Sequence, residues 1–69
     1  MTYQGCIQAL DGLQAAYQNG ADVELGLSSL EKAGFPLVQL VGFADARGFK
    51  KIASVGRRMI REKETQNGA

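Results

Sequence analysis

From Pro36 onward the apolar positions of this chain keep a strict rhythm. Leu37, Val41, Ala44, Gly48, Ile52, Val55 and Met59 advance by four, three, four, four, three and four residues. A β-strand returns a side chain to the same face every second residue and an α-helix every 3.6. The spacing therefore selects helix over the buried strand that the apolar content of "PLVQLVGFADARG" would also allow. Sustained from Leu37 to Met59, it predicts one long C-terminal helix, or two collinear helices broken near Gly48. Pro36 suits the first turn of such a helix, where its missing N–H is not needed.

Two shorter helices are expected upstream. In "TYQGCIQALDGLQAAYQNG" the residues Tyr3, Cys6, Ile7, Leu10, Leu13 and Tyr17 recur at threes and fours and fall within one arc of about 120°. Thr2 is the expected N-cap and Asn19-Gly20 the expected stop, since glycine adopts the left-handed conformation that ends helices. Gly5 and Gly12 lie off the centre of that arc and are read as tolerated. In "ADVELGLSSLEKAGFP" Asp22 is placed to cap the start, and Ser28 with Glu31 offers a second, internal capping box. Leu27 and Leu30 mark the buried side. Gly34, a Phe35 that folds back onto Leu30, and Pro36 define the exit. The expected fold is all-α: two short helices, then a long amphipathic C-terminal helix. Residues 1–64 form one small domain and 65–69 a frayed tail.

A chain of 69 residues buries a modest fraction of its surface and usually borrows stability from a disulfide, a metal or a partner. One cysteine and no histidine rule out an internal disulfide and argue against a Cys/His zinc site. A homodimer is the remaining supplement. Its expected interface is the apolar run Phe35, Leu37, Val38, Leu40, Val41 and Phe43, which cannot all face one side of a helix. A lone cysteine without a signal peptide points to a reducing, cytoplasmic setting. "FPLVQLVGFA" is too short to cross a bilayer.

The net charge of +1 hides an asymmetry. Residues 1–46 carry Lys32 against Asp11, Asp22, Glu24, Glu31 and Asp45; residues 47–69 carry seven cations against Glu62 and Glu64. On a helix, Arg47, Lys50, Lys51, Arg57, Arg58 and Arg61 share one stripe about 120° wide, with Phe49, Ile52, Val55, Met59 and Ile60 on the opposite arc. Burial requires the apolar arc but does not require the other arc to be purely cationic. Like charges on one stripe repel, and a polyanion or acidic partner relieves the repulsion. Three plainer readings compete: a solvated face, complementation of the helix macrodipole by Arg57, Arg58, Arg61 and Lys63, and neutralisation by the acidic half within the molecule or across a dimer.

"LVGFADARGFKKIASVGRRM" resembles the helix-turn-helix family in part, through Ala44 and Gly48 four apart and Phe49 next. It departs from that pattern at Arg47, Ser54 and Arg57, where the family has apolar residues, and the chain is not assigned to it. Catalysis is not expected. Histidine is absent, the acids are scattered, and "GFADARGFK" lacks the Gly-Lys-Ser/Thr ending of a phosphate loop. Cys6 sits on an apolar face and is read as core rather than nucleophile. Tyr3, Tyr17 and Met59 are read as packing residues. No catalytic residue, metal or cofactor is expected. What is left is a small regulator that binds nucleic acid through the stripe, or a protein-binding modulator that docks a helix face on a larger target.

Overall fold

The computed structural model describes residues 3–68, with side chains from residue 4 to residue 65. Thr2, the expected cap of the first helix, lies outside the described residues, as does the Tyr3 side chain. Among the described residues there are four helices and no strand: α1 (Tyr3–Gln18), α2 (Val23–Lys32), α3 (Leu37–Ala46) and α4 (Lys50–Gly68). The all-α expectation therefore holds, with four helices rather than three. The last helix runs through Gly68, well into the segment expected as a frayed tail.

The three connections are built alike. After α1, Ala21 N–H donates to the Ala16 carbonyl and Gly20 N–H to that of Tyr17; after α2, Phe35 donates to Leu30 and Gly34 to Glu31; after α3, Phe49 donates to Ala44 and Gly48 to Asp45. These paired bonds form the Schellman stop, which needs a left-handed residue in its second-to-last place. Gly20, Gly34 and Gly48 supply it, at φ +97°, +109° and +79°. The first two stops were expected. Gly48 is the residue that splits the expected long helix, and the two pieces are not collinear. On a collinear pair Val41 and Gly56 would stand about 22 Å apart at 1.5 Å per residue. Instead a Cβ added at Gly56 would overlap the Val41 side chain, so the chain turns back and α4 packs on α3. The rhythm is common to both helices because each turns its set, Leu37, Val41 and Ala44 or Ile52, Val55 and Met59, into the core.

At the start of α2, the Asp22 side chain accepts from Glu24 N–H at 2.9 Å, the cap that was expected. Ser28 and Glu31 do not form a second start, since α2 is continuous through them. Pro36 stands one residue ahead of α3, as its N-cap.

Each helix packs chiefly on two others, in the cyclic order α1, α2, α4, α3. The space between them is filled by Leu10 and Leu13 of α1, Val23 and Leu27 of α2, Leu37, Leu40 and Ala44 of α3, and Ile52, Ala53, Val55 and Met59 of α4. Cys6 is buried at 1% exposure, as a core cysteine should be. The apolar run after Gly34 is consumed largely by this one core. Leu37, Leu40 and Val41 are buried, Phe35 and Phe43 are half-buried against the core, and Val38 alone of the six stands in solvent, at 68% exposure. The run that argued for a second subunit thus leaves one large side chain unused.

Candidate nucleic-acid interface

Because α4 follows α3 and α2 rather than continuing α3, its surface divides into three bands. Ile52, Ala53, Val55, Gly56 and Met59 are buried. Arg57 and Arg58 stand at the two borders of the exposed face. Arg57 pairs with Asp45 of α3, and Arg58 with Glu24 of α2. Beyond them Lys63 pairs with Glu31 of α2, and the Nε of Arg58 lies 3.4 Å from Glu62 one turn on. In the turn before α4, Arg47 lies 2.8 Å from Asp11 of α1 and its guanidinium stacks over Phe49 at 5.6 Å. All these pairs except Lys63–Glu31 join side chains that are each about half exposed. Such pairs contribute on the order of 0.2–1 kcal/mol each. They are therefore weak enough to exchange for a competing anion.

The third band is the crest of the exposed face, formed by Lys50, Ser54 and Arg61, while Lys51 stands at the α2-side border next to Arg58. All four are exposed. Among the described residues Lys50, Lys51 and Arg61 make no ion pair, while Asp11, Glu24, Glu31 and Asp45 are all engaged elsewhere. Lys51 borders a shallow cleft with Tyr17, Asp22 and Glu24, yet Asp22 is turned to its own cap and Glu24 to Arg58.

No family model, curated protein or solved structure matches this chain. Its reading rests on these side chains.

Of the six stripe residues expected from the sequence, then, Arg47, Arg57 and Arg58 are paired within the molecule, and Lys50, Lys51 and Arg61 have no carboxylate partner among the described residues. Neutralisation by the acidic half, one of the plainer readings, accounts for the first three. The macrodipole accounts for none of the others. α4 runs to Gly68 and has no basic residue in its last turn, and Lys50 and Lys51 open its first turn with no acid beside them. The dipole acts within the terminal turns and disfavours cations at an N-terminus by about 0.3–1 kcal/mol each. The partial likeness to a helix-turn-helix also stops at the turn. Ala44 is buried and Gly48 is left-handed, but Ser54 and Arg57, where that family has apolar residues, are exposed.

Sequence reasoning missed Ser54, the short polar side chain at the middle of the crest. Its signal was present: it stands four residues after Lys50 and seven before Arg61, on the same helical face. No sequence signal identified Asp45, Glu24 and Asp11 as the partners of particular arginines.

The expected interface residues Phe35, Leu37, Val38, Leu40, Val41 and Phe43 do not form a shared surface. What α3 leaves outward is Val38, Gln39, Gly42, Asp45 and Ala46. Tyr17 and Leu25 are the other large apolar side chains exposed among the described residues. No helix there is long and apolar enough to cross a membrane.

Proposed function

We propose that this chain is a small non-enzymatic regulator that binds nucleic acid through the crest of α4. The observation that carries this is the separation of the cations into two classes. Arg57 and Arg58 are tied to neighbouring helices, whereas Lys50 and Arg61 on the crest and Lys51 at its α2 side make no ion pair among the described residues. Nothing in the stability of the fold calls for these three, and two of them oppose the dipole of their own helix. Phosphates supply the missing anions, and counterion release makes the affinity salt-dependent. Three phosphate contacts correspond to a slope of about −2.7 in log K against log salt on duplex DNA.

The test is a titration of mixed-sequence duplex DNA at two salt concentrations with the parent chain and a Lys50→Gln/Arg61→Gln double variant. The variant is expected to melt within about 0.5 kcal/mol of the parent, while affinity falls for every sequence alike and the salt slope shrinks by about two units. Absence of binding at low salt overturns the reading.

A second reading, a modulator that docks a helix face on a larger protein, draws on one observation. The outer face of α3 carries Val38, Gln39, Gly42 and Ala46, and its one charge, Asp45, is held by Arg57. An uncharged face enters a protein groove with little desolvation cost. The same face is what remains for a second copy of the chain. Loss of nucleic-acid binding in the titration above, with retention of a protein target on purification, favours this reading.

A further inference from the structure

We infer, resting on the nucleic-acid reading, that the ligand is B-form duplex DNA. In this arrangement α4 lies along the major groove, Ser54 faces the base edges, and Lys50, Lys51 and Arg61 reach the flanking phosphates.

Four observations favour this ligand over single strands and duplex RNA. First, the crest holds no aromatic side chain. Phe35, Phe43 and Phe49 are half-buried against the core, and Tyr17, 36% exposed, lies in the cleft beside Lys51 rather than on the crest. Single-stranded nucleic acid is held largely by stacking successive bases on exposed rings, and one ring beside the crest is not such a platform. Second, the cationic element is a single helix. An α-helix with its side chains is about 10–12 Å across, and the B-form major groove is about 12 Å wide, whereas the major groove of A-form RNA is too deep and narrow for side chains to read. Third, the spacing matches. Lys50 and Arg61 stand about 16 Å apart along the axis at 1.5 Å per residue, so an α4 laid along the groove carries a cation toward the backbone at each end of Ser54. The crest ends there, since Glu62 and Glu64 follow. Fourth, the helix is free to enter. Every residue from Arg61 to Thr65 is exposed, as the 19-residue α4 outruns the 10-residue α2 and α3.

Ser54 gives the arrangement a point of close approach. It is the short side chain at the centre of a crest otherwise made of long ones, and its hydroxyl both donates and accepts, so it pairs with several base edges. Arg57 and Arg58 flank it. Their ion pairs with Asp45 and Glu24 are surface pairs, and exchange of either for a guanine O6/N7 edge or a phosphate raises the salt slope beyond that of three contacts.

The experiment uses the full chain and fluorescence anisotropy at low salt with three probes of equal length and sequence: duplex DNA, duplex RNA and single-stranded DNA. Duplex DNA is expected to bind at least tenfold tighter than either of the others and to show its guanine N7 atoms protected from methylation. A Ser54→Leu variant, bulky at the crest and remote from the core, is expected to lose at least tenfold on duplex DNA and to leave the weak single-strand binding unchanged. Equal affinity for all three probes, or duplex binding without N7 protection, overturns the groove placement and leaves the nucleic-acid reading standing. Unchanged duplex affinity in Ser54→Leu overturns the placement of Ser54 at the base edges. Failure of every probe to bind overturns both readings.

Discussion

α3 and α4 follow one another across three residues and continue a single apolar rhythm, yet they use the rest of their surfaces in opposite ways. α3 carries one charge, Asp45, and is apolar or small nearly all round; Leu37, Leu40, Val41 and Ala44 vanish into the core and Val38 is left out. α4 is divided sharply, with one apolar face and one cationic face. A helix that is apolar all round gains nothing from being turned one way rather than another until neighbours pack on it. A divided helix fixes its own rotation. In this molecule the divided helix sets the orientation and the uniform one fills space, and the carboxylate of α3 serves a cation of α4. The exposed face of α4 is therefore the same in any packing that buries Ile52 and Met59.

The largest test of this contrast lies within α3. Leu40→Ala, at a fully buried site, is expected to cost about 3 kcal/mol in chemical denaturation. Val38→Ala, two residues away and exposed, is expected to stay within about 0.5 kcal/mol of the parent. Equal losses would erase the inward and outward faces assigned to α3.

The contact between the two helices comes next. At Gly56 an added Cβ would overlap the β-branched Val41 side chain, with Leu27 Cδ1 only 3.7 Å away. Gly56→Leu is expected to lose about 2 kcal/mol by forcing α4 away from α3. At Gly42, in the outer face of α3, an added Cβ meets nothing within 4 Å, and Gly42→Ala is expected to gain up to about 1 kcal/mol from helix propensity. Thermal melts of the two variants should move in opposite directions, and a common direction would mean that the crossing lies elsewhere.

The smallest expected effect belongs to the ion pair that links the helices. Asp45→Asn removes the partner of Arg57, and a loss of no more than about 0.5 kcal/mol is expected in a melt. Duplex DNA should bind somewhat tighter to this variant, because Arg57 no longer has to leave a carboxylate. Weaker binding would place Asp45, and not Arg57, in contact with the ligand.

Much of this could be read locally. Helical periodicity, the Asp22 cap and the stops at Gly20 and Gly34 are properties of short windows, since hydrogen bonds and left-handed glycines act over a few residues. The stop at Gly48 also had a local sign, for Arg47-Gly48-Phe49 repeats the Gly-Phe pair of Ala33-Gly34-Phe35. The rhythm obscured it, because apolar spacing reports the phase of a face and not the direction of the chain. The division of α4 into apolar and cationic faces was likewise fixed by composition and spacing alone. The tertiary structure decided what depends on distant neighbours. Asp45 and Arg57 are 12 residues apart, Glu31 and Lys63 are 32, and Glu24 and Arg58 are 34; no local pattern encodes such partners, so the sequence left six equivalent cations where the fold leaves three without an ion pair among the described residues. Gly12 and Gly42 are open while Gly26 and Gly56 sit against Leu13 and Val41, for the same reason: a glycine's own window says what conformation it permits, and only the helix packed across it says whether a side chain has room.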